Sequence, residues 1–160
     1  MVSEVQKSGR VQVLVDADVR DVWRVVSDVT RVGEWSHECR SAEWRSPTAG
    51  PAPGVRFRGR NRAGWARWSR TCEIVAVDEP REIVWRTVPT RLYPDSTEWR
   101  IELEPAGAGT RITQTFRVLR APWLLDRLYA GLIPSHRDRD LRLAGDLARL
   151  GAVAGRGVPR

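Results

Sequence analysis

The sequence predicts an α+β fold: a curved antiparallel sheet of about seven strands wrapped around a long C-terminal helix, with two short helices after strand one. Three observations carry that prediction. Apolar and polar residues alternate in successive short runs between residues 38 and 118, the period-two signature of half-buried strands. A capped apolar helix follows directly on the first strand. The last apolar stretch, residues 122–151, has helical spacing and supplies the cover that the concave side of such a sheet requires.

Val11, Val13 and Val15 alternate as the first strand. Asp18 suits the N-cap of a helix over residues 18–27, and Asp21 stands three residues on, where a capping-box acid would sit. Val22, Val25, Val26 and Val29 make the buried stripe, with Trp23 at its edge. Residues 30–35 read as a second short helical piece, ended near Gly33 or just after Trp35. A strand over residues 38–46 leads into a Pro- and Gly-rich loop at 47–54.

Residues 55–62 then place Val55, Phe57, Gly59 and Asn61 on one face and Arg56, Arg58, Arg60 and Arg62 on the other. Ala63-Gly64 turns the chain into a strand at 65–77, residues 78–81 turn it again, and 82–88 form another strand. The inward parity of these last two strands stays open, because a single bulge inverts it. The clearest pair joins residues 97–104 to 111–118 across a loop at 105–109. If Leu103 faces Ile112, then Glu104 faces Arg111 and Glu98 faces Arg117, so opposite charges meet outside and apolar groups inside. In the final helix Pro122 suits the first turn and Gly151 the stop, while Pro134 kinks or breaks it near residues 132–133. The domain is expected to span 8–153, with 154–160 as a disordered tail.

A chain of 160 residues with 41% hydrophobic and 29% charged residues is expected to form one globular domain with a real core. The net charge of +7 and pI near 10.8 raise nucleic acid or an anionic surface as partners. Lys7 is the single lysine among 27 basic residues, and no basic run with interleaved aromatics lies on a helix, so nucleic-acid binding is not expected. The first ten residues lack an apolar segment and no run approaches the ~20 apolar residues of a membrane span, which points to a cytoplasmic protein. Cys39 and Cys72 lack metal-type spacing and read as free thiols. G-x-S-x-G, H-E-x-x-H, Walker and C-x-x-C patterns are absent, so no catalytic residue, metal or cofactor is assigned.

Residues 13–19 (Val-Leu-Val-Asp-Ala-Asp-Val), Val22-Trp23, Glu34-Trp35, Gly54-Val55-Arg56-Phe57, Trp85 and the terminal helix carry a resemblance. Over residues 8–153 the chain resembles the SRPBCC superfamily, the START-like and polyketide cyclase/dehydrase group with the helix-grip fold. The resemblance implies an apolar cavity between sheet and helix. It also implies a monomer or homodimer that binds a hydrophobic or aromatic small molecule of lipid- or polyketide-like character. The alternative is a polyketide cyclase, aromatase or dehydrase-type enzyme.

Strand parity and the resemblance together place Trp35, Asn61, Trp68, Trp85, Trp99, Gln114 and Phe116 in that cavity, answered by Tyr129, Leu132 and His136 from the last helix. The rings equally suit a filled core, since eight Trp can pack one. Asn61, Gln114 and His136 are the more telling residues, because burying a polar group unpaired costs ~1–3 kcal/mol. His136 has two readings. It forms a polar end to the pocket, with Asp140 orienting it as an acid/base pair, or the Pro134 kink turns it to solvent. Arg70, Arg86 and Arg91 are candidates to reach inward, and Trp35, His37 and residues 93–97 to rim the opening.

Overall fold

The computed structural model describes residues 6–47, 50–132 and 139–156. Seven strands form one antiparallel sheet in the order β1-β7-β6-β5-β4-β3-β2. They are β1 (Ser8–Val15), β2 (Cys39–Trp44), β3 (Arg56–Ala63), β4 (Ala66–Asp78), β5 (Glu82–Thr87), β6 (Ser96–Ala106) and β7 (Gly109–Arg120). The register expected for the β6/β7 pair is the observed one: Leu103 opposes Ile112, Glu104 opposes Arg111 and Glu98 opposes Arg117. The strands run further into the turn than expected. Pro105 pairs with Thr110 and Ala106 with Gly109, leaving a two-residue loop in which Gly107 takes the positive φ that such turns demand.

The outer face carries the charge. Arg111 bonds Glu104 at 3.1 Å, Arg100 bonds Glu82 at 2.6 Å, and Arg56 and Arg86 share Glu73 at 2.9 and 3.0 Å. Glu73 is consequently held below the usual carboxylate range, mainly by its hydrogen bonds to Arg56 and Arg86. Ion pairs of this exposure contribute ~0–1 kcal/mol each, so their chief effect is on register and solubility.

Helix α1 (Val19–Val26) starts where Asp18 accepts a hydrogen bond from the Arg20 amide at 2.9 Å. Asp21 pairs with Arg24 at 2.7 Å and does not complete a capping box. Trp23, at the edge of the stripe, is buried with Val22, Val25 and Val26. A six-residue 3-10 helix, Val29–Glu34, follows under its own cap, with Asp28 accepting from the Thr30 amide at 3.1 Å.

The final apolar stretch holds two helices, α2 (Trp123–Leu132) and α3 (Asp140–Arg156); Pro134, where a kink or break is expected, lies outside the described residues. Helix α3 is the one the sheet grips. It packs on β1 and α1, burying Leu143, Leu147, Leu150 and Val153, each such side chain stabilising the fold by ~1.5–3 kcal/mol. Gly151 is not the stop: the helix runs on to Arg156 and Ala154 is buried. The reason for glycine is contact, because a Cβ at 151 would collide with the Val15 side chain of β1.

The parity left open by the sequence is resolved by a register shift in β4 between Ile74 and Ala76. Before the shift, Trp68, Arg70, Cys72 and Ile74 face the concave side, and on β5 Ile83 and Trp85 do so. No helix among the described residues is long and apolar enough to cross a membrane.

Candidate functional site

The concave face of β3–β7, the 3-10 helix and the start of α3 enclose a cavity of about 200 Å³. Six of the residues expected in it line it: Trp35, Asn61, Trp68, Trp85, Trp99 and Gln114. Their side chains arrive by simple parity, since Asn61 pairs with Trp68 across β3/β4, and Trp85 with Trp99 across β5/β6. Phe116 belongs to the layer behind the wall, buried and tilted against Trp99 with ring centroids 5.3 Å apart. Leu132 does not reach the cavity. It sits at the end of α2 with 40% of its surface exposed, because α2 turns Trp123, Leu124 and Leu128 outward as well. The Tyr129 side chain and His136 lie outside the described residues.

The cavity has one strongly polar wall. Arg70 points inward and donates to Asp95 twice, Nη1 to Oδ2 at 2.8 Å and Nη2 to the backbone oxygen at 2.9 Å, while its guanidinium lies 5.4 Å over the Tyr93 ring. Asp95 and Thr97 of the 93–97 segment line the cavity. Arg86 faces outward to Glu73 and Arg91 is exposed. Arg139 stacks on Trp99 and Phe116, at 5.7 and 5.2 Å from their centroids. Asp140 accepts a hydrogen bond from Gln6 at 2.9 Å.

Three polar atoms at this cavity are buried without a hydrogen-bond partner among the described residues: Trp35 Nε1, Asp95 Oδ1 and Gln114 Oε1. Natural structures leave few such groups, and each costs ~1–3 kcal/mol. One donor and two acceptors thus stand among the rings that line the cavity. Cys39 and Cys72 also line it, and burial pushes their thiols up to about 11 and about 12, so both are neutral and inert at pH 7.

A second polar group was not read from the sequence. Asp146 is buried at 2% exposure on α3 and accepts from the His37 amide at 2.9 Å. Its other oxygen meets His37 Nδ1 at 2.7 Å, and Arg149 bonds it from the same helix. Arg149 Nε also donates to the Trp35 carbonyl at 3.0 Å, which ties the 3-10 segment to α3. The signal was present: Asp146 falls inside the Leu143–Leu147–Leu150 stripe, where a carboxylate is tolerated only with partners.

Solved structures of the same fold are numerous. A protein from Thermus thermophilus superposes with a TM-score of 0.72 at 16% identity, covering 95% of this chain and 99% of its own. A putative protein of the dynemicin biosynthetic locus gives 0.58 at 19% identity over 96% of this chain and 49% of its own. A major latex-like protein from Panax ginseng gives 0.54 at 18% identity over 88% and 99%. No curated protein sequence matches. Residues 6–142 match the family model described as polyketide cyclase / dehydrase and lipid transport, and with its gripped helix and seven-stranded curved sheet the chain belongs to that family.

Proposed function

We propose that the protein binds a compact, mainly aromatic small molecule that carries at least one hydroxyl group. The observation that carries this reading is the pair of unpartnered buried acceptors, Gln114 Oε1 and Asp95 Oδ1, at the edge of a Trp-lined cavity. A ligand hydroxyl donating to either oxygen removes a desolvation cost that the protein alone bears, and a ligand oxygen can take up Trp35 N–H in the same way. Indole faces at Trp68, Trp85 and Trp99 suit a flat ring system.

Size narrows the class. An apolar cavity of about 150 Å³ holds benzene. About 200 Å³ therefore suits one or two fused rings better than a long acyl chain. The probe pair is 2-naphthol and naphthalene, measured by isothermal titration calorimetry. The hydroxylated ring is expected to bind more tightly by ~3–10-fold, the equivalent of one net hydrogen bond. Equal affinities, or no binding of either, would remove the reading.

One observation favours a second reading, a polyketide cyclase- or dehydrase-type enzyme. His37 stands in the cavity wall with its Nδ1 fixed by a buried carboxylate.

A further inference from the structure

We infer that His37 and Asp146 form a catalytic acid/base dyad that takes a proton from carbon in a molecule held in the cavity; this inference rests on the cavity being a binding site. Asp146 holds His37 twice, through the backbone amide at 2.9 Å and through Nδ1 at 2.7 Å. The carboxylate is 3% exposed and acceptor-only when ionised, so the short contact places the proton on Nδ1. That leaves the lone pair on Nε2, which has no hydrogen bond to any described residue. His37 lines the cavity and its side chain is 21% exposed, so Nε2 is the ring nitrogen that Asp146 leaves for a ligand. A buried carboxylate behind an imidazole also stabilises the imidazolium that forms when Nε2 takes a proton.

The surroundings suit a base and not a metal ligand. Among the described residues no group of three or more His, Cys, Asp or Glu could hold a metal ion. The titratable and charged groups on the elements around His37 are Arg139, Asp140, Arg142, Asp146, Arg149 and Arg156 on the α3 side, Asp28, Arg31 and Glu34 at the 3-10 helix, Glu38 beside it, and Cys39, Arg40 and Glu43 on β2, with Arg70 and Asp95 elsewhere in the cavity lining. Arg149 bonds Asp146, which holds that carboxylate in place. A ring bound against Trp68, Trp85 and Trp99 would displace water from the cavity, which strengthens charge–charge interactions inside.

The substrate class is a compact carbon acid: a ring carrying a C–H bond activated by an adjacent carbonyl or other electron-withdrawing group. The proton passes to Nε2. The C–H electron pair enters the adjacent π system and comes to rest on the withdrawing oxygen, and the imidazolium returns its proton to the product or to water. Charge and atoms balance without a co-reactant.

The probe is 5-nitro-1,2-benzisoxazole, a flat two-ring carbon acid. Loss of its C–H proton to the base turns the C–H pair into the nitrile π bond and breaks N–O, leaving a coloured cyanonitrophenolate. The wild-type protein is expected to open the ring faster than equimolar free imidazole. His37→Gln is expected to lower the rate by at least ~10-fold, on the modest side of what a general base contributes because the probe is not a natural substrate. Its circular dichroism spectrum should show a folded protein, so the lost rate is not a loss of fold. His37→Ala should recover rate when imidazole is added, a rescue that a purely structural histidine would not give. Asp146→Asn should lose rate and alter the pH profile. A wild-type rate no greater than that of imidazole, or an undiminished rate in His37→Gln, overturns the dyad. Absence of 2-naphthol binding removes the cavity reading instead, and the ring-opening rate is scored separately from it.

Discussion

Replacing Gln114 by Leu tests whether an unpartnered acceptor in the cavity wall is held there for a ligand. Gln114 is 4% exposed in the middle of β7, between Val11 of β1 and Ile101 of β6. Its Oε1 has no hydrogen-bond partner among the described residues. Leucine has nearly the same shape and removes the buried polar group, so the desolvation cost of ~1–3 kcal/mol should vanish from the folded state. For a chain of this length each kcal/mol moves the melting midpoint by ~2–4 °C, so thermal unfolding followed by circular dichroism should show a rise of ~2–12 °C. The same change removes one acceptor for the ligand hydroxyl, worth ~0.5–1.5 kcal/mol. The affinity for 2-naphthol should fall by ~3–10-fold, while that for naphthalene holds or improves. A lower melting midpoint together with an unchanged preference for the hydroxylated ring would refute the assignment of Gln114 to ligand recognition.

Two further predictions address the frame around the cavity. Gly151→Val forces a branched side chain into Val15 where α3 crosses β1, and should lower stability by ~1–3 kcal/mol in urea unfolding. Gly145→Ala in the same helix meets only the tip of Arg149 at 3.8 Å and should raise stability by up to ~1 kcal/mol; equal effects at the two sites would contradict the close crossing. Cys39 and Cys72 should alkylate slowly in the native protein at pH 8. A rise from the ordinary 9.0 to about 11 cuts the thiolate fraction of Cys39 ~100-fold, and Cys72 at about 12 is lower still. The sign of the linked effect follows. The unfolded chain deprotonates these thiols first, so stability is full below pH ~9 and falls as pH rises toward the folded-state values. Stability in Cys→Ala variants should lose that alkaline slope; a native alkylation rate equal to that of the urea-unfolded chain would show that the thiols are not buried.

The sheet was legible because two independent patterns had to agree. At β6/β7 the apolar alternation and the Glu–Arg pairing allow one register, and that register is present. Asn61 and Gln114 could be placed inward on the same logic. The β4 strand could not be oriented, because the shift between Ile74 and Ala76 has no mark in the local sequence. Gly151 looked like a helix stop because glycine ends helices for one reason and permits close crossings for another, and only the position of Val15 distinguishes them. His136, the acid/base candidate of the sequence, lies outside the described residues, and His37 is a histidine that the described residues pair with a carboxylate. The link from His37 to Asp146 spans 109 positions and joins a loop to the far helix, a pairing that periodicity within either element does not reveal. Asp146 was nonetheless visible as a carboxylate in an apolar stripe, and Asp95 as a rim residue whose partner, Arg70, depended on the open parity of β4.

Filling the cavity tests the central claim most directly. Asn61 stands on the concave face of β3 between Cys39 and Trp68. A tryptophan there occupies the space that a ring would take. Calorimetric titration of 2-naphthol should give one site per chain in the wild-type protein and no measurable heat in a folded Asn61→Trp variant. The same affinity in both proteins would contradict the cavity as the place where this protein binds its ligand.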